Sequence, residues 1–431
     1  MGDDSAPKPA GNVRWTIVLL VFILIVMDYV DRGIITVSLP ILKGEFSLTP
    51  ILIAIIGSGF TYGYLIMNPV SGYILDKYGP RKAFSRLSLA WGAVQTVTAA
   101  AISSTFLAAT RVLLGVTEAV GFPGVTKVTA EWLPRGEKAR GGTISDSGVN
   151  MGIILGSVLM VGLVSIIPSS QAWRVGLLLS GILTVIVSVL LGRVLYDSPE
   201  KHPKISKEEL EYIRNNQDKS VDQVKISSAE WFVHRSYWGT MIGLGAQAGV
   251  FFGLFTWLPL YLSYARHVSL TYTLIYTAII WSSGFVGEIA GGFIIDHLNR
   301  TRGPNVGMKT GFAVSSIGVT LGLLGTIYAN SAGMAIEILI VTFFFLRWSG
   351  IQWAVSSFLV PSRYAGQFGG HIGFWETLWG IVLPLLFGIT VSLTNAYTEG
   401  MIIFVAVGLI YFLGSVVFTS YKPLKIAANG S

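Results

Sequence analysis

Twelve apolar stretches recur along the chain, most of them separated by short polar breaks, and that rhythm limits the fold more than any other feature. They lie near residues 15–39, 51–75, 83–103, 106–133, 140–166, 172–196, 236–264, 270–296, 308–328, 332–357, 366–391 and 398–420. A hydrocarbon core about 30 Å thick is crossed by about 20 apolar residues in a helix. In hydrocarbon a single segment satisfies its own backbone polar groups only as a helix. The chain therefore reads as an all-α integral membrane protein with twelve transmembrane helices. Only 12% of its residues are charged and 52% are hydrophobic, whereas soluble proteins carry about 25% charged residues. The mean hydropathy of +0.64 agrees. A length of 431 residues would otherwise suggest about three soluble domains.

The one long polar segment, Asp197 to Ser236, holds Pro199, Pro203 and the run Lys207-Glu208-Glu209-Leu210-Glu211. It reads as a linker with a short amphipathic helix. It divides the chain into residues 1–196, a linker of 197–235, and 236–431 with a short tail, six helices in each half. Basic residues alternate between loops. Lys8 and Arg14, then Lys77, Arg81, Lys82 and Arg86, then Arg135, Lys138 and Arg140 share one side with the linker, Arg300, Arg302, Lys309, Arg363, Lys422 and Lys425. The other side has little beyond Lys43 and Arg266. The positive-inside rule then places both termini and the linker in the cytoplasm of a multi-pass cell-membrane protein. The net charge of +7 is accounted for by this topology and does not call for nucleic acid. The segment Met1–Gly11 is polar, with Asp3 and Asp4, unlike a cleaved signal peptide, so the first helix is expected to be retained. The absence of cysteine excludes disulfides and thiolate chemistry.

The halves echo one another. Gly72-x3-Asp76 closes the second stretch and Gly292-x3-Asp296 closes the eighth, 220 residues later. Leu39-Pro40 and Leu258-Pro259, 219 residues apart, end the first and seventh. Repeated halves are common in transporters, whose site lies between them near the midplane. Gly148-x3-Gly152-x3-Gly156 and Gly287-x3-Gly291 put small residues on one helix face, which serves close packing or sliding.

Ionisable residues inside the apolar stretches are the most informative feature. Each costs roughly 3 kcal/mol or more at the bilayer centre, so such residues pair, line a cavity or work. The first helix carries Asp28-Tyr29-Val30-Asp31-Arg32. Asp28 and Arg32 share a face at i, i+4, and Asp31 adjoins Arg32. Asp31 is about 24 Å along the helix from Trp15, past the midplane. The fourth carries Arg111 and Glu118 on one face, with Glu118 about 10 Å deeper. Arginine holds a carboxylate with two parallel hydrogen bonds, and a carboxyl that alternates between dry and arginine-paired surroundings binds and releases a proton. Acids and arginines on facing helices thus suit coupled movement of a proton and an organic anion, although a structural ion pair is the simpler alternative for each. Asp146, Glu288, Arg347 and Glu376 are further charges in apolar stretches, with His371 near the start of the eleventh; the sequence leaves the roles of Asp28, Glu288, Arg347 and Glu376 open. Lys127 and Glu131 are spaced to pair with each other at the interface. Tyr29, Tyr62, Tyr64, Trp353 and Trp375 are candidates for lining a cavity.

No Gly-Lys dipeptide and no His-Glu-x-x-His occur, which leaves no phosphate-binding loop for an ATP-driven pump and no zincin-type metalloprotease. The five histidines are scattered, and no metal site or cofactor is expected beyond the proton as coupling ion. A channel is the competing class outside carriers, distinguishable by its currents.

Several segments resemble a known family. Gly72-Tyr-Ile-Leu-Asp76-Lys-Tyr-Gly79-Pro-Arg81-Lys82 is similar to the signature between the second and third helices of the major facilitator superfamily. Asp31-Arg32, the run from Arg111 through Gly115, Glu118 and Phe122-Pro123, Trp132-Leu-Pro134, Trp173-Arg174, and Ser198-Pro199 leading to Ile205-Ser206 resemble its anion:cation symporters, a group that includes bacterial sugar-acid transporters, sialin and vesicular glutamate transporters. The resemblance covers nearly the whole chain, more strongly its first half. It implies two pseudo-symmetric six-helix bundles working by alternating access, not an enzyme, acting as a monomer on a small organic anion. It assigns proton coupling to Asp31 and Glu118, and anion contacts to Arg32 and Arg111. It adds Tyr64 and Trp353, the latter preceded by Gln352; with Tyr29 and Glu376 these complete the expected substrate site. Asp76 and Arg81 are expected to steady the cytoplasmic gate. Gly373 stands where the family usually offers an Asn to sugar hydroxyls, and Arg347, Glu288 and Glu376 stand where small or polar residues are usual. The reading is a proton-coupled organic-anion symporter, with a uniporter or exchanger of such an anion as the alternative.

Overall fold

In the computed structural model the described residues are 11–47, 50–217, 227–268, 270–394 and 396–424. Asp3, Asp4, Lys8, Lys425, part of the linker and the side chain of Lys43 lie outside them. The first half comprises α1 (Val13–Glu45), α2 (Pro50–Tyr78), α3 (Pro80–Thr98), α4 (Ser104–Glu118), α5 (Gly121–Trp132), α6 (Lys138–Ile166) and α7 (Ser169–Val194). The linker helix is α8 (Lys207–Asn215). The second half comprises α9 (Arg235–Leu260), α10 (Leu270–Arg302), α11 (Pro304–Ile327), α12 (Ala332–Leu346), α13 (Ser356–Leu359), α14 (Ala365–Thr394) and α15 (Tyr397–Phe412). By length and composition alone, ten helical segments among the described residues suit a membrane crossing. α2 and α3 complete six spans in the first half, α2 packing on α4 and α3 on α7.

The predicted fourth and tenth helices are each broken, and at corresponding places. Ser103 caps α4 by accepting from the Phe106 N–H at 3.1 Å, and Ser331 caps α12 by accepting from Met334 at the same distance. Each helix then runs 15 residues before it stops. α5 resumes with Pro123 in its first turn, and a proline there cannot donate to the carbonyl four residues back. In the second half the chain passes through a 3-10 stretch, Arg347–Ala354. The halves match again at their tight turns. Gly79 and Gly303 have φ of 82° and 87°, a conformation glycine adopts without penalty, and each precedes a proline that opens the next helix. Broken helices near mid-membrane are tolerated where they line a cavity, so both interruptions point to one place.

The glycine stripes work inside each half. A Cβ at Gly148, Gly152 or Gly156 would press on the α1 backbone between Phe22 and Val30, and one at Gly287 or Gly291 on Phe344 and Trp348. They fix close packing of α1 on α6 and of α10 on the tenth span rather than the interface between halves.

The linker helix forms as its sequence predicts. Ser206 accepts from the Glu209 N–H at 3.1 Å. Glu209 in turn accepts from the N–H groups of Val13 and Arg14, both at 3.1 Å, and caps α1. The linker is thereby fastened to the entry of the first span, and the end of the molecule that carries it is called the linker side below.

Candidate functional site

A narrow cavity of about 50 Å³ lies between the halves. Tyr29, Arg32, Tyr64, Phe122 and Asp146 line it from the first half; Gln247, Phe251, Arg347, Gln352, Trp353 and Glu376 line it from the second. The two broken spans supply Phe122 on one wall and Arg347, Gln352 and Trp353 on the other, and Phe122 stacks on Trp353 with centroids 4.3 Å apart. Of the aromatic candidates, Tyr29, Tyr64 and Trp353 reach the cavity. Tyr62 is exposed on the outer surface, and Trp375 packs on Trp238.

Arg32 is the cation of the first wall. Its guanidinium carbon lies 4.3 Å from the Tyr29 ring, 4.4 Å from Phe60 and 5.2 Å from Tyr64. Aromatic faces attract a cation and hold it against the pull of water. Behind it, Nη2 meets Asp28 Oδ1 at 2.8 Å and Glu118 Oε2 at 3.8 Å, both carboxylates fully buried. Asp31, next to Arg32 in sequence, is held elsewhere: the Trp91 indole donates to Asp31 Oδ2 at 2.8 Å, toward α3. Neighbouring residues on a helix do not face one another, a signal already present in the sequence. Arg111 is buried in α4 with its guanidinium carbon 5.4 Å from the Phe60 ring, and its Nε and Nη1 have no hydrogen-bond acceptor. Phe60, which the sequence reading missed, is thus shared by both arginines.

The second wall carries a charge network that joins the halves. Arg347 Nη2 lies 2.6 Å from Asp146 of α6 and 2.8 Å from Glu288 of α10. The Trp353 indole donates to the other oxygen of Asp146 at 3.0 Å, and Asn150 donates to Glu288 at 3.4 Å. Gln247 donates to Ser349 at 2.8 Å. Glu376 lines the cavity at 7% exposure, and its Oε1 is buried without a hydrogen-bond partner.

Below the cavity the linker side is closed by two matching clasps. Asp76 accepts from the N–H groups of Gly366 (3.1 Å) and Gln367 (2.6 Å) at the start of α14. Asp296 accepts from Ala139 and Arg140, both at 2.9 Å, at the start of α6. Each carboxylate caps a helix of the other half, where free N–H groups and the helix dipole favour an anion. The glycine of each Gly-x3-Asp motif permits the approach, since a Cβ at Gly72 would overlap the Gly366 carbonyl and one at Gly292 the Thr143 side chain. Lys127, expected only to pair with Glu131, also sits 3.0 Å from Asp76 and donates to the Ser362 carbonyl at 2.6 Å. Arg81 does not reach across this gate. It donates to the Gly192 carbonyl at 3.1 Å and lies 4.1 Å from the Tyr196 ring, tying α3 to the end of α7. Lys127 is the cation beside Asp76, and Arg140 lies 4.0 Å from Asp296. No group of His, Asp or Glu suited to a metal ion occurs among the described residues.

Comparison with known proteins agrees with this architecture. A probable galactarate/D-glucarate transporter of Escherichia coli K12 is 26% identical over 423 residues, covering 94% of this chain and 92% of the relative. A D-galactonate transporter of Escherichia coli O6:H1 is 26% identical over 399 residues, covering 89% and 90%. The structure of a proton:xylose symporter superposes with a TM-score of 0.77 at 12% identity, covering 95% of this chain and 97% of that one; at that identity the likeness shows the fold. The profile of the Major Facilitator Superfamily matches residues 21–384. Two six-span halves around one cavity, transporters as full-length relatives and that match together make this chain a multi-pass membrane transporter, not an enzyme, that belongs to the Major Facilitator Superfamily.

Proposed function

We propose that the protein is a proton-coupled symporter of a small organic anion. The observation that carries this reading is the pair of arginines that share the Phe60 ring. Arg32 lines the cavity, and Arg111 is buried near the same ring with donors that lack acceptors. A buried donor left unsatisfied costs about 1–3 kcal/mol, and an anionic substrate drawn to this wall would relieve that cost. The relatives, named for sugar acids, support a carboxylate as the anion.

Proton coupling is supported by the balance of charge around the cavity. Three arginines, Arg32, Arg111 and Arg347, stand in or behind its walls with six carboxylates, Asp28, Asp31, Glu118, Asp146, Glu288 and Glu376, of which Asp146 and Glu376 line it. Charges that are neither paired nor hydrogen-bonded are strongly disfavoured away from water, so this excess of acids needs protons or ligand donors. Asp31 and Glu118 remain the coupling candidates. Glu118 lies next to Arg32, so anion capture by Arg32 would weaken the hold on Glu118 and favour its protonation. The cycle then alternates the linker-side clasps described above with an opening on that side. Both termini and the linker are assigned to the cytoplasm, and the carrier to the cell membrane as a monomer.

The test is uptake by the purified full chain in liposomes. Labelled D-galactonate should accumulate under an inside-alkaline pH gradient and stop accumulating when a protonophore is added. Uptake that follows only the substrate gradient would make the protein a uniporter or exchanger. Ionic currents far above carrier turnover would make it a channel.

A further inference from the structure

We infer that Glu376 is the second pole of the substrate site, and that it favours carboxylates whose far end carries a hydrogen-bond donor over those that end in a second carboxylate. The inference rests on the organic-anion reading above and adds which anions the cavity accepts.

The two walls are chemically opposite. The first presents the Arg32 guanidinium, held among three aromatic rings. The second also has an arginine, but Arg347 is already bound by Asp146 and Glu288 on the same Nη2. Arg32 also has carboxylates behind it, but only Asp28 comes within 2.8 Å while Glu118 stands at 3.8 Å, so Arg32 is the more available of the two to a ligand. What the second wall offers is acceptors. Glu376 Oε1 is buried without a partner, and so is Gln352 Oε1. Both residues line the cavity.

The surroundings of Glu376 leave it for the ligand. Thr377 next to it donates its hydroxyl to the Gly373 carbonyl at 2.7 Å. Gly373, one turn earlier on the same face, has no side chain, and a Cβ there would stand 2.8 Å from Asn68 Oδ1. That place is filled by the Asn68 amide, whose Nδ2 would stand 3.3 Å from the same Cβ. A buried carboxylate without a hydrogen bond costs free energy, and a ligand hydroxyl or ammonium would supply the missing bond. A second carboxylate in that place would meet like charge. A molecule with its carboxylate at Arg32 and a hydroxyl at Glu376 satisfies both walls at once.

D-galactonate and galactarate form a matched pair of probes, because they differ only at the far carbon, a hydroxymethyl in one and a carboxylate in the other. The purified full chain is titrated with each near neutral pH, and binding is followed by calorimetry and by thermal shift. The wild type should bind D-galactonate at least about tenfold more tightly than galactarate. Glu376→Gln keeps an acceptor and removes the like charge, so the gap should shrink severalfold. Glu376→Arg should reverse the order. Arg32→Lys should weaken both ligands together and leave their ratio unchanged. Equal affinities in the wild type, or a ratio that Glu376→Gln does not move, would overturn the role of Glu376 while leaving the anion reading intact. Failure of the folded wild type to bind either acid would overturn both. Should Glu376→Arg fail to fold, the near-isosteric Glu376→Gln decides alone.

Discussion

Arg347 of the second half holds Asp146 of the first through an ion pair of 2.6 Å, with both side chains buried. The same Nη2 lies 2.8 Å from Glu288, within its own half. One arginine thus has one partner it can keep when the halves separate and one that it must release. The pair is therefore placed to bias which side of the carrier is closed.

Asp146→Asn weakens the pair and leaves Arg347 on Glu288. It should shift the population toward opening on the linker side. Thr143, buried against Gly292 between the halves, reports this as a single cysteine in a chain that otherwise has none. Maleimide labelling of Thr143→Cys should be several times faster in the Asp146→Asn background. Arg347→Met is a harsher change, because it strands two buried carboxylates, and it should cost about 3–5 kcal/mol in unfolding experiments. Equal labelling rates would assign Asp146 to bracing alone.

Arg32→Lys tests the cage. A lysine ammonium carries the same charge, but it lacks the planar fork that stacks on Tyr29 and Phe60 and meets a carboxylate with two bonds. The loss should be about 1–2 kcal/mol of binding, or about tenfold in Kd. Arg111→Lys should weaken binding as well, since its unsatisfied donors lie one ring away. Calorimetry on the folded variants measures both, and unchanged affinity would remove the residue concerned from the site.

At the gate, Asp76→Asn retains an acceptor for Gln367 but loses the charge that faces Lys127. Transport should slow severalfold while equilibrium affinity changes little, because Asp76 lies away from the cavity. Asp296→Asn should do the same from the other half. Lys127→Met leaves Asp76 buried without its cation and should lower stability by about 1–3 kcal/mol. A large loss of binding in folded Asp76→Asn would contradict this placement.

Glu118→Gln imitates a carboxyl that never releases its proton. The loaded carrier should still reorient, whereas the empty return step should fail. In liposomes, exchange of external labelled for internal unlabelled D-galactonate should persist while uphill uptake falls to background. Loss of both in a stable protein would point to a bracing role beside Arg32, and retention of both would move the coupling proton to Glu288 or Glu376.

Labelling of single cysteines in intact cells tests the topology. Both Lys207 and Ser331 are exposed. A membrane-impermeant maleimide should label Ser331→Cys from outside and leave Lys207→Cys untouched. The opposite pattern would invert the assignment.

The spans, the linker helix and the paired Gly-x3-Asp motifs were legible because hydrophobic runs, caps and spaced repeats are local signals. The rarity of intramembrane charge likewise picked out Arg32, Arg111, Glu118 and Glu376. What the sequence could not show was who pairs with whom. Asp146 and Arg347 lie 201 residues apart, and no periodicity links them. Lys127 had a partner four residues away in Glu131, which hid the nearer one in Asp76. The break after Glu118 was masked by an apolar run that continues through it, although Pro123 marked the place. Phe60 looked like any packing residue, because only the fold sets it beside two cations.

The two aspartate caps also determine how the carrier opens. Each carboxylate secures the first turn of a helix that belongs to the opposite half, and the two stand at equivalent points of the internal repeat. If one let go while the other held, the halves would be left hinged about the surviving clasp, with the freed helix turn exposing N–H groups that have lost their carboxylate. Partial opening therefore leaves donors unsatisfied on one flank without clearing a path on the other. Releasing both together clears the path and lets water reach every freed group at once. Symmetry of the clasps thus favours a gate that moves between shut and open as a unit and spends little time ajar, which is what a carrier needs if its driving ion is not to leak past an unloaded site.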